Sequence, residues 1–568
     1  DTYGGLHRHD HRTGQSQTIS PSTASSFGDI AHAELRFTWT SPLVFSPQDS
    51  HVLYFGSQYL LRSADQGMSW EKISPDLTGA QAGAPQEGPT TVENAKARGY
   101  GVIYTIAPSP VAAGQIWVGT DTGLVQLTTD GGKTWNNVTP QGLSDWSKIS
   151  VIEASHFDAS VAYAAVDRHR LDDAAPYIYV THDLGRTWAR ISKGIPDGAY
   201  VRSVREGPTK GLLFAATELG IYVSVDDGGS WRSLQLNMPV VPVHDLAVHG
   251  HDLIAASHGR SFWVLDDISP LEQLTPGNLN IPAYLFQTPG AVRMRPNINS
   301  DTPLPPEVPA GENPPAGAIL YYYFKSPAQS QVKIEILDDK QKLIRSFSSN
   351  DPVTAPQLNT VPFPSYWFRP PEKLSTAAGI HRFTWDLRYP PPAAAFPEYS
   401  MATAYGQNTP VEPLGPQVLP GTYYVRLVAD GKELTKQFLI TMDPRVKASP
   451  EDLQKQFAWE MKIYKALQQG NIALAEIRSF YAQNKSNPAM AQKIAALSKI
   501  EPASAPEPGQ PPTSRTPTLS RVLGALQRLA VTVDSADAAP TAQASKGAEE
   551  AIAQMQLLLR QWEAIRSE

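Results

Sequence analysis

The densest run of ionisable side chains is Val166-Asp167-Arg168-His169-Arg170-Leu171-Asp172-Asp173, six titratable or charged groups in eight residues. It separates two strand-like stretches, Tyr163-Ala164-Ala165 and Tyr177-Ile178-Tyr179-Val180. An inserted loop of this kind can hold a glycan or a metal. It can equally close on itself as an Arg–Asp network that pins the loop and binds nothing. Glycoside hydrolysis needs only two carboxylates across a cleft and leaves no local spacing signature, so Glu153, Asp167, Asp172 and Glu206 are candidate acids and bases. A second set, Arg36, Trp39, Tyr100, Arg168, Tyr200, Arg202, His244 and Arg260, combines aromatic rings with cations, which suits sugar or peptide recognition. Packing between repeats is the commoner fate of any one of them. Near the start, His7, His9 and His11 alternate and would share a strand face, where imidazoles can bind a metal; an exposed, polar edge hairpin is the simpler reading.

Several other chemistries are excluded by inspection. The chain has no phosphate-cradling G-x-x-x-x-G-K-[ST], no G-x-G-x-x-G after a strand, no G-x-S-x-G elbow and no H-E-x-x-H. It has no cysteine, hence no disulfide, thiol nucleophile or thiolate metal site. The net charge is −7, from 48 Lys+Arg against 55 Asp+Glu, without the basic stripe that tracks a phosphate backbone, so nucleic acid is not an expected partner. No apolar run reaches the ~18 residues of a membrane span, and neither a cofactor nor a resident metal is expected. The chain begins at Asp1 without Met or an apolar leader, which reads as a processed or incomplete sequence.

The elements that must position these side chains announce themselves by repetition. The pattern S/T-x-D-x-G-x-S/T-W occurs at Ser63–Trp70, Thr128–Trp135, Thr181–Trp188 and Ser224–Trp231. Each copy follows a β-rich, glycine-punctuated run, and the intervals leave room for four strands plus loops, the content of a propeller blade. Within a copy, the Asp (Asp65, Asp130, Asp183, Asp226) can accept backbone N–H groups in a tight turn. The Gly (Gly67, Gly132, Gly185, Gly228) supplies a left-handed conformation, and the Trp (Trp70, Trp135, Trp188, Trp231) buries a large ring as the next strand begins. These residues read as a hairpin staple, structural rather than functional.

The octapeptide resembles the Asp-box of bacterial neuraminidases, sortilin-type receptors and xyloglucan-cleaving hydrolases. More broadly, residues 1–446 resemble bacterial BNR-repeat glycosyl hydrolases and sortilin-like proteins, through stretches such as RFTWTSPLVFSP, VDRHRLDDAAPYIY and VVPVHDLAVHGHDLIAASHGRSFWVLDD. The resemblance implies a β-propeller whose boxes sit on the outer rim, ligands bound at the channel mouth, a secreted or periplasmic location, and further blades upstream in the same precursor. The family label implies hydrolase activity, yet none of its catalytic residues maps here. The Arg-Ile-Pro segment of sialidases is absent from this chain. Three functions stay open: a scaffold recognising glycans or protein segments, a sialidase- or xyloglucanase-like glycoside hydrolase, and an assembly or sorting factor.

The expected organisation is a mainly β chain. Residues 1–30 carry two outer strands of a partial blade whose inner strands are missing, and residues 31–284 about five blades, the fifth without a box. Residues 285–446 hold a Pro-rich linker around 296–315 and an Ig- or fibronectin-like sandwich. There Val332, Ile334 and Ile336 alternate, Asp430-Gly431 marks a hairpin, and GIHRFTWDLRY and LPGTYYVRLVADGKELTKQFLI read as paired strands. Residues 447–568 read as helical. Ser449-Pro450-Glu451-Asp452 begins a helix with Phe457, Met461, Tyr464 and Leu467 on its apolar stripe, and a Pro-rich break at 502–517 precedes a last helix faced by Ile552, Met555, Leu558, Leu559, Trp562 and Ile565.

Overall fold

The computed structural model describes residues 4–22, 35–79, 100–295, 311, 314–352, 372–392, 398–399, 411–484, 486–498 and 517–567. The Pro-rich segments expected at 296–315 and 502–517 fall largely outside them. The chain forms two compact units, Asp1–Leu279 and Asn280–Glu568.

The first unit is a series of antiparallel meanders. A hairpin of β1 (His7–Asp10) and β2 (Gln15–Thr18) comes first. Four four-stranded blades follow: β3 (Leu43–Phe45) to β6 (Glu71–Lys72) by way of β4 (Leu53–Gly56) and β5 (Leu60–Ser63); then β7 (Ile103–Pro108), β8 (Ile116–Thr120), β9 (Val125–Thr128) and β10 (Asn136–Asn137). The third is β11 (Lys148–Ala154), β12 (Ala162–Asp167), β13 (Tyr177–Thr181) and β14 (Ala189–Arg190), and the fourth β15 (Val201–Glu206), β16 (Leu213–Thr217), β17 (Gly220–Ser224) and β18 (Arg232–Ser233). A three-stranded fifth blade, β19 (Val243–His249), β20 (Asp252–Ser257) and β21 (Phe262–Leu265), leads into the short helix α1 (Ser269–Gln273). Successive first strands are neighbours, β7 beside β11, β11 beside β15 and β15 beside β19, so the sheets are arranged radially. Their core lies between blades. Trp117 and Val125 pack with Ile149 and Ala164, Tyr163 and Ile178 with Val204 and Leu213, and Phe214 and Ile221 with Leu246 and Leu253.

All four octapeptides fold alike. Thr134 N and Oγ1 donate to the two carboxylate oxygens of Asp130 at 2.9 and 2.7 Å, Thr128 Oγ1 donates to Asp130 at 2.8 Å, and Gly132 N donates to Thr128 Oγ1 at 3.0 Å. The same bonds recur around Asp65, Asp183 and Asp226. The Trp does more than the expected staple. Its indole N–H reaches a backbone carbonyl of the preceding blade: Trp135 to Ile73 at 3.1 Å, Trp188 to Val138 at 2.7 Å, and Trp231 to Ile191. The Gly is demanded by the same approach, since a Cβ on Gly132 (φ +97°) would lie 2.6 Å from the Ile73 carbonyl oxygen.

In the second unit a three-stranded sheet, β22 (Ala283–Leu285), β24 (Ala318–Phe324) and β27 (Gly379–Trp385), packs on a five-stranded one. The latter is ordered β23 (Ala291–Arg293), β31 (Lys432–Met442), β30 (Gly421–Ala429), β25 (Lys333–Leu337), β26 (Leu343–Ser348). A separate pair joins β28 (Glu398–Tyr399) to β29 (Val411–Glu412). Val332, Ile334 and Ile336 are fully buried in the shared core with Leu320, Trp385 and Val425. Asp430 and Gly431, both at positive φ, make the two-residue turn between β30 and β31. GIHRFTWDLRY does not pair with that hairpin: β27 belongs to the opposite sheet, beside β24. Strand propensity signals a strand but not its neighbour. Helices α2 (Pro450–Gln483), α3 (Pro488–Ser498), α4 (Leu519–Val533) and α5 (Ala542–Ser567) complete the unit. Ser449 caps α2, its side chain accepting from Asp452 N. The buried stripe of α2 is rotated from the expected one. Leu453, Ile463, Leu467, Leu474 and Ile477 face the core, whereas Phe457, Met461 and Tyr464 are half-buried, because Gln456 and Glu460 occupy inward positions that an apolar pattern skips. On α5, Met555, Leu558 and Trp562 are buried as the periodicity requires.

Candidate functional site

In each of four consecutive blades the first strand carries a β-bulge at the same place: between Ile103 and Thr105, Ile149 and Val151, Val201 and Ser203, and Val243 and Asp245. The residues left over are Tyr104, Ser150, Arg202 and His244. A bulge re-aims the extra side chain and breaks the ladder locally, so four blades present one special position each. All four lie at the end of the blades remote from the octapeptide turns, where a first strand begins and its antiparallel second strand ends. The register pairs there are Ile103 with Thr120, Lys148 with Asp167, Val201 with Thr217 and Val243 with Ser257. The loops leaving the second strands add Asp121, His169, Glu218 and His258 to the same end.

A connected polar ribbon results. Lys148 Nζ lies 4.8 Å over the Tyr104 ring and 2.8 Å from Asp167 Oδ2. Asp167 Oδ1 holds His169 Nδ1 at 2.5 Å, and the imidazole stacks on Tyr200 with centroids 4.8 Å apart. Tyr200 accepts from Arg202 at 2.8 Å, and Arg202 is fixed by Glu218 at 2.7 Å. His244 meets His258 edge to face, with nitrogens 3.2 Å apart. Burial pushes the Asp167 carboxyl up, but the Lys148 charge and the bonds from Lys148 and His169 outweigh it and hold the group below its ordinary value. Burial, with the bond to Glu218, raises the Tyr200 phenol to about 12. Burial and the nearby Arg202 and His258 lower His244 and keep it neutral further into acid. Asp121, whose carboxylate accepts Val102 N, is pushed by burial up to about 6.

The four carboxylate candidates divide between the two ends. Asp167 and Asp172 are at the ribbon end. Glu153 and Glu206 are at the other, where Tyr163, the register partner of Glu153, donates to Asp227 of an octapeptide turn at 2.6 Å. Glu153 is held by Arg205 at 3.0 Å and His156 at 3.3 Å. Glu206 is buried, accepts from Ser155 Oγ and His156 N, and is raised by burial. Asp172 (φ 59°) caps the short turn His169–Leu171.

The Val166–Asp173 run is held partly from within, by Asp167 with His169 and Arg168 with Asp173, and partly from outside, by Lys148 and Tyr200. Arg168 pairs with Asp173 at 2.9 Å and donates to Tyr177 and Ser144, while Tyr177 donates to Asp173 at 2.8 Å. Of the other recognition candidates, Arg36 ties Gly101 O, Asp76 and Thr78 together, and Tyr100 is hydrogen-bonded to Phe37. Trp39 is 80% exposed. Arg260 is exposed and its carbonyl accepts Trp263 Nε1. His7 and His9 bond hydroxyls of β2, and His11 lies beyond the strand in the turn, its ring 5.0 Å from that of His9. Residue-by-residue reading passed over Tyr104, Lys148, Glu218 and His258. Aligning the repeats on the ends of their second strands would have found Glu218 and His258, because the polar pairs Thr120-Asp121, Asp167-Arg168, Thr217-Glu218 and Ser257-His258 fall at one repeated position.

No family model matches the chain, and no curated protein matches it. Among solved structures it is similar to the GH74 xyloglucanase from Xanthomonas campestris, at 14% identity over 39% of this chain and 35% of that one, with a TM-score of 0.29. It is similar also to the GH74 enzyme of Niastella koreensis, at 17% identity over 46% and 42% of the two chains, TM-score 0.32. YCF48 from Cyanidioschyzon merolae matches at 14% identity over 45% and 91%, TM-score 0.26. The chain spans less than half the length of either GH74 structure. Likenesses this distant carry no argument about activity. Among the described residues no helix is long and apolar enough to cross a membrane.

Proposed function

We propose that the first unit is a recognition scaffold, secreted or periplasmic, that binds a glycan or an extended peptide along the ribbon at the channel mouth. The observation that carries the reading is the recurrence of the bulge: Tyr104, Ser150, Arg202 and His244 occupy one equivalent position in four blades. An elongated ligand with its own repeat is matched by such a row, with Arg202 as a donor held in place by Tyr200 and Glu218. The carboxylates support binding over hydrolysis, since Glu153, Asp167 and Glu206 are each engaged by a cation or backbone donor in place.

The test is a panel of polysaccharides, sialosides and peptides applied to the full chain, with binding and turnover both measured. Binding without turnover, weakened about tenfold or more by Arg202→Ala or Tyr200→Ala, is expected, a stacked or charge-assisted contact contributing ~1–3 kcal/mol. Turnover abolished by Asp167→Asn or Glu153→Gln would overturn the scaffold in favour of a glycoside hydrolase. Binding indifferent to both ribbon variants would move the site elsewhere, as an assembly or sorting factor requires.

A further inference from the structure

His169 stands where the ribbon passes from the third blade to the fourth, and its imidazole is held from two directions. Its backbone N–H and its Nδ1 both meet Oδ1 of Asp167, at 3.1 and 2.5 Å, and its ring lies against Tyr200 with the planes 20° apart. The Asp167 carboxylate is 1% exposed and kept ionised by Lys148, 2.8 Å from its other oxygen. An ionised carboxylate only accepts, so Nδ1 carries the hydrogen between them. Nε2 is then the lone pair of the neutral ring, its direction fixed by the bond on the opposite nitrogen. The side chain is 33% exposed, and among the described residues nothing donates to Nε2.

Arg202, on β15 of the next blade, is fixed in the same way with the opposite polarity. Its Nε and Nη2 donate to Glu218 at 3.1 and 2.7 Å, and Nη2 also donates to the Tyr200 hydroxyl at 2.8 Å, which leaves Nη1 without an acceptor among the described residues. An acceptor and a donor are thus both pinned against Tyr200, the imidazole 4.8 Å and the guanidinium 4.9 Å from its ring centroid. A carboxylate or sulfate has only lone pairs: it would satisfy Arg202 and meet a second lone pair at Nε2. A hydroxyl both donates and accepts, and neighbouring hydroxyls of one sugar ring meet both groups at once. Further along the ribbon, Trp39 is 80% exposed on a turn closed by Ser41, whose Oγ accepts from Thr38 N at 3.2 Å and donates to Thr38 O at 3.0 Å. Thr40 Oγ1 ties that turn to the Tyr104 hydroxyl at 3.3 Å. An indole held in this way offers a flat apolar face to the C–H side of a pyranose.

We propose that His169 Nε2 accepts a hydroxyl hydrogen from the ligand while Arg202 donates to a neighbouring oxygen, so that the ribbon selects a neutral, hydroxyl-rich glycan over an acidic glycan or a peptide. The inference rests on the ribbon being the binding site, and adds to that reading the class of ligand and the residue that selects it. Asp167 is here a positioning residue, acting on the ligand only through the imidazole it orients.

The acceptor is read first without any ligand. In the full chain labelled with nitrogen-15 at histidine, the His169 signals are assigned by their loss in His169→Asn, whose amide keeps a donor to Asp167 and has nothing at the place of Nε2. Near neutral pH, Nε2 is expected to resonate as an unprotonated ring nitrogen; a hydrogen on Nε2 would overturn the proposal. Binding is then measured on arrays of neutral glycans, of uronate- and sulfate-bearing glycans, and of peptides. Binding confined to neutral glycans is expected, weakened about tenfold or more by His169→Asn and partly restored by His169→Gln, whose amide oxygen reaches the place of Nε2, with the melting of residues 1–279 unchanged in both variants. A preference for acidic glycans or peptides, or an affinity for neutral glycans indifferent to His169→Asn, would overturn it; a loss with Arg202→Ala in that case would show that the ribbon still binds and that its selectivity alone was misassigned. Absence of binding on every array would remove the ribbon as a binding site and this proposal with it.

Discussion

Asp65, Asp130 and Asp183 sit on the surface yet are held at about 2, because each accepts from the side chain and backbone N–H of the Ser or Thr four residues on. A carboxylate depressed on folding stabilises the fold above its unfolded value, near 4, and the contribution disappears as pH falls from there towards 2. The first unit is thus expected to lose stability over that window, followed by circular dichroism during acid titration. Asp130→Asn should lower stability at pH 7 and flatten the acid limb; an unchanged limb would count against these turns as the titrating elements. At the opposite end of the same motif, Trp231 is 3% exposed and donates to the Ile191 carbonyl. Trp231→Phe keeps most of the ring but leaves that acceptor unpaired, an expected loss of about 1–3 kcal/mol in denaturant titration.

Helix α2 carries a buried acid, Glu460, whose carboxylate accepts Gln417 N. Glu460 is 5% exposed, and burial together with the nearby Asp534 pushes it up to about 7 despite Arg388, Arg293 and Arg295. Because the folded value lies above the unfolded one, ionisation opposes folding: stability is greatest below about pH 4.5 for this group, falls as pH rises towards 7, and is flat beyond. Glu460→Gln removes the charge and should raise the stability of the second unit at pH 8 by roughly 1–3 kcal/mol, with little change at pH 5. The connection between α4 and α5 is locked to the sandwich by a different set of charges. Arg293, on β23, pairs with Asp537 at 2.8 Å, both side chains nearly inaccessible, and Arg295 and Arg388 hold Asp534 at 2.9 and 2.8 Å. Removing one member of a buried pair strands the other, at about 3–5 kcal/mol. Asp537→Ala should therefore detach the helices from β23, read as faster amide exchange across α4 and α5.

Two compact units imply two cooperative transitions when the full chain is melted. Trp231→Phe is expected to lower only the transition of residues 1–279, and Asp537→Ala only that of 280–568, with calorimetry separating them. A single transition displaced equally by both variants would show the units to unfold as one. In the first unit the stabilising surface lies between sheets rather than within them, and among the described residues some large apolar side chains stay exposed. Phe262 of β21 is 74% exposed at one end and Phe45 of β3 62% at the other.

What the sequence determined by itself was local. The octapeptide specifies its turn because every donor and acceptor it needs lies within eight residues, and the alternation of Val332, Ile334 and Ile336 or the start of α2 at Ser449 is likewise written in near neighbours. The strand content and order of the blades followed from repetition. What only the tertiary structure decided depends on contacts distant in the chain. Trp135 bonds to the preceding blade, β27 pairs with β24 rather than β30, and Gln456 and Glu460 turn inward on α2, each set by a neighbour that no local pattern names. The candidate site belongs to this second class. Asp167 was legible as one charge in a charged loop, but its partner Lys148 stands on the opposite strand and Tyr200 on the next blade. A bulge is a mismatch between two strands, so the row of Tyr104, Ser150, Arg202 and His244 comes into existence only when the strands pair.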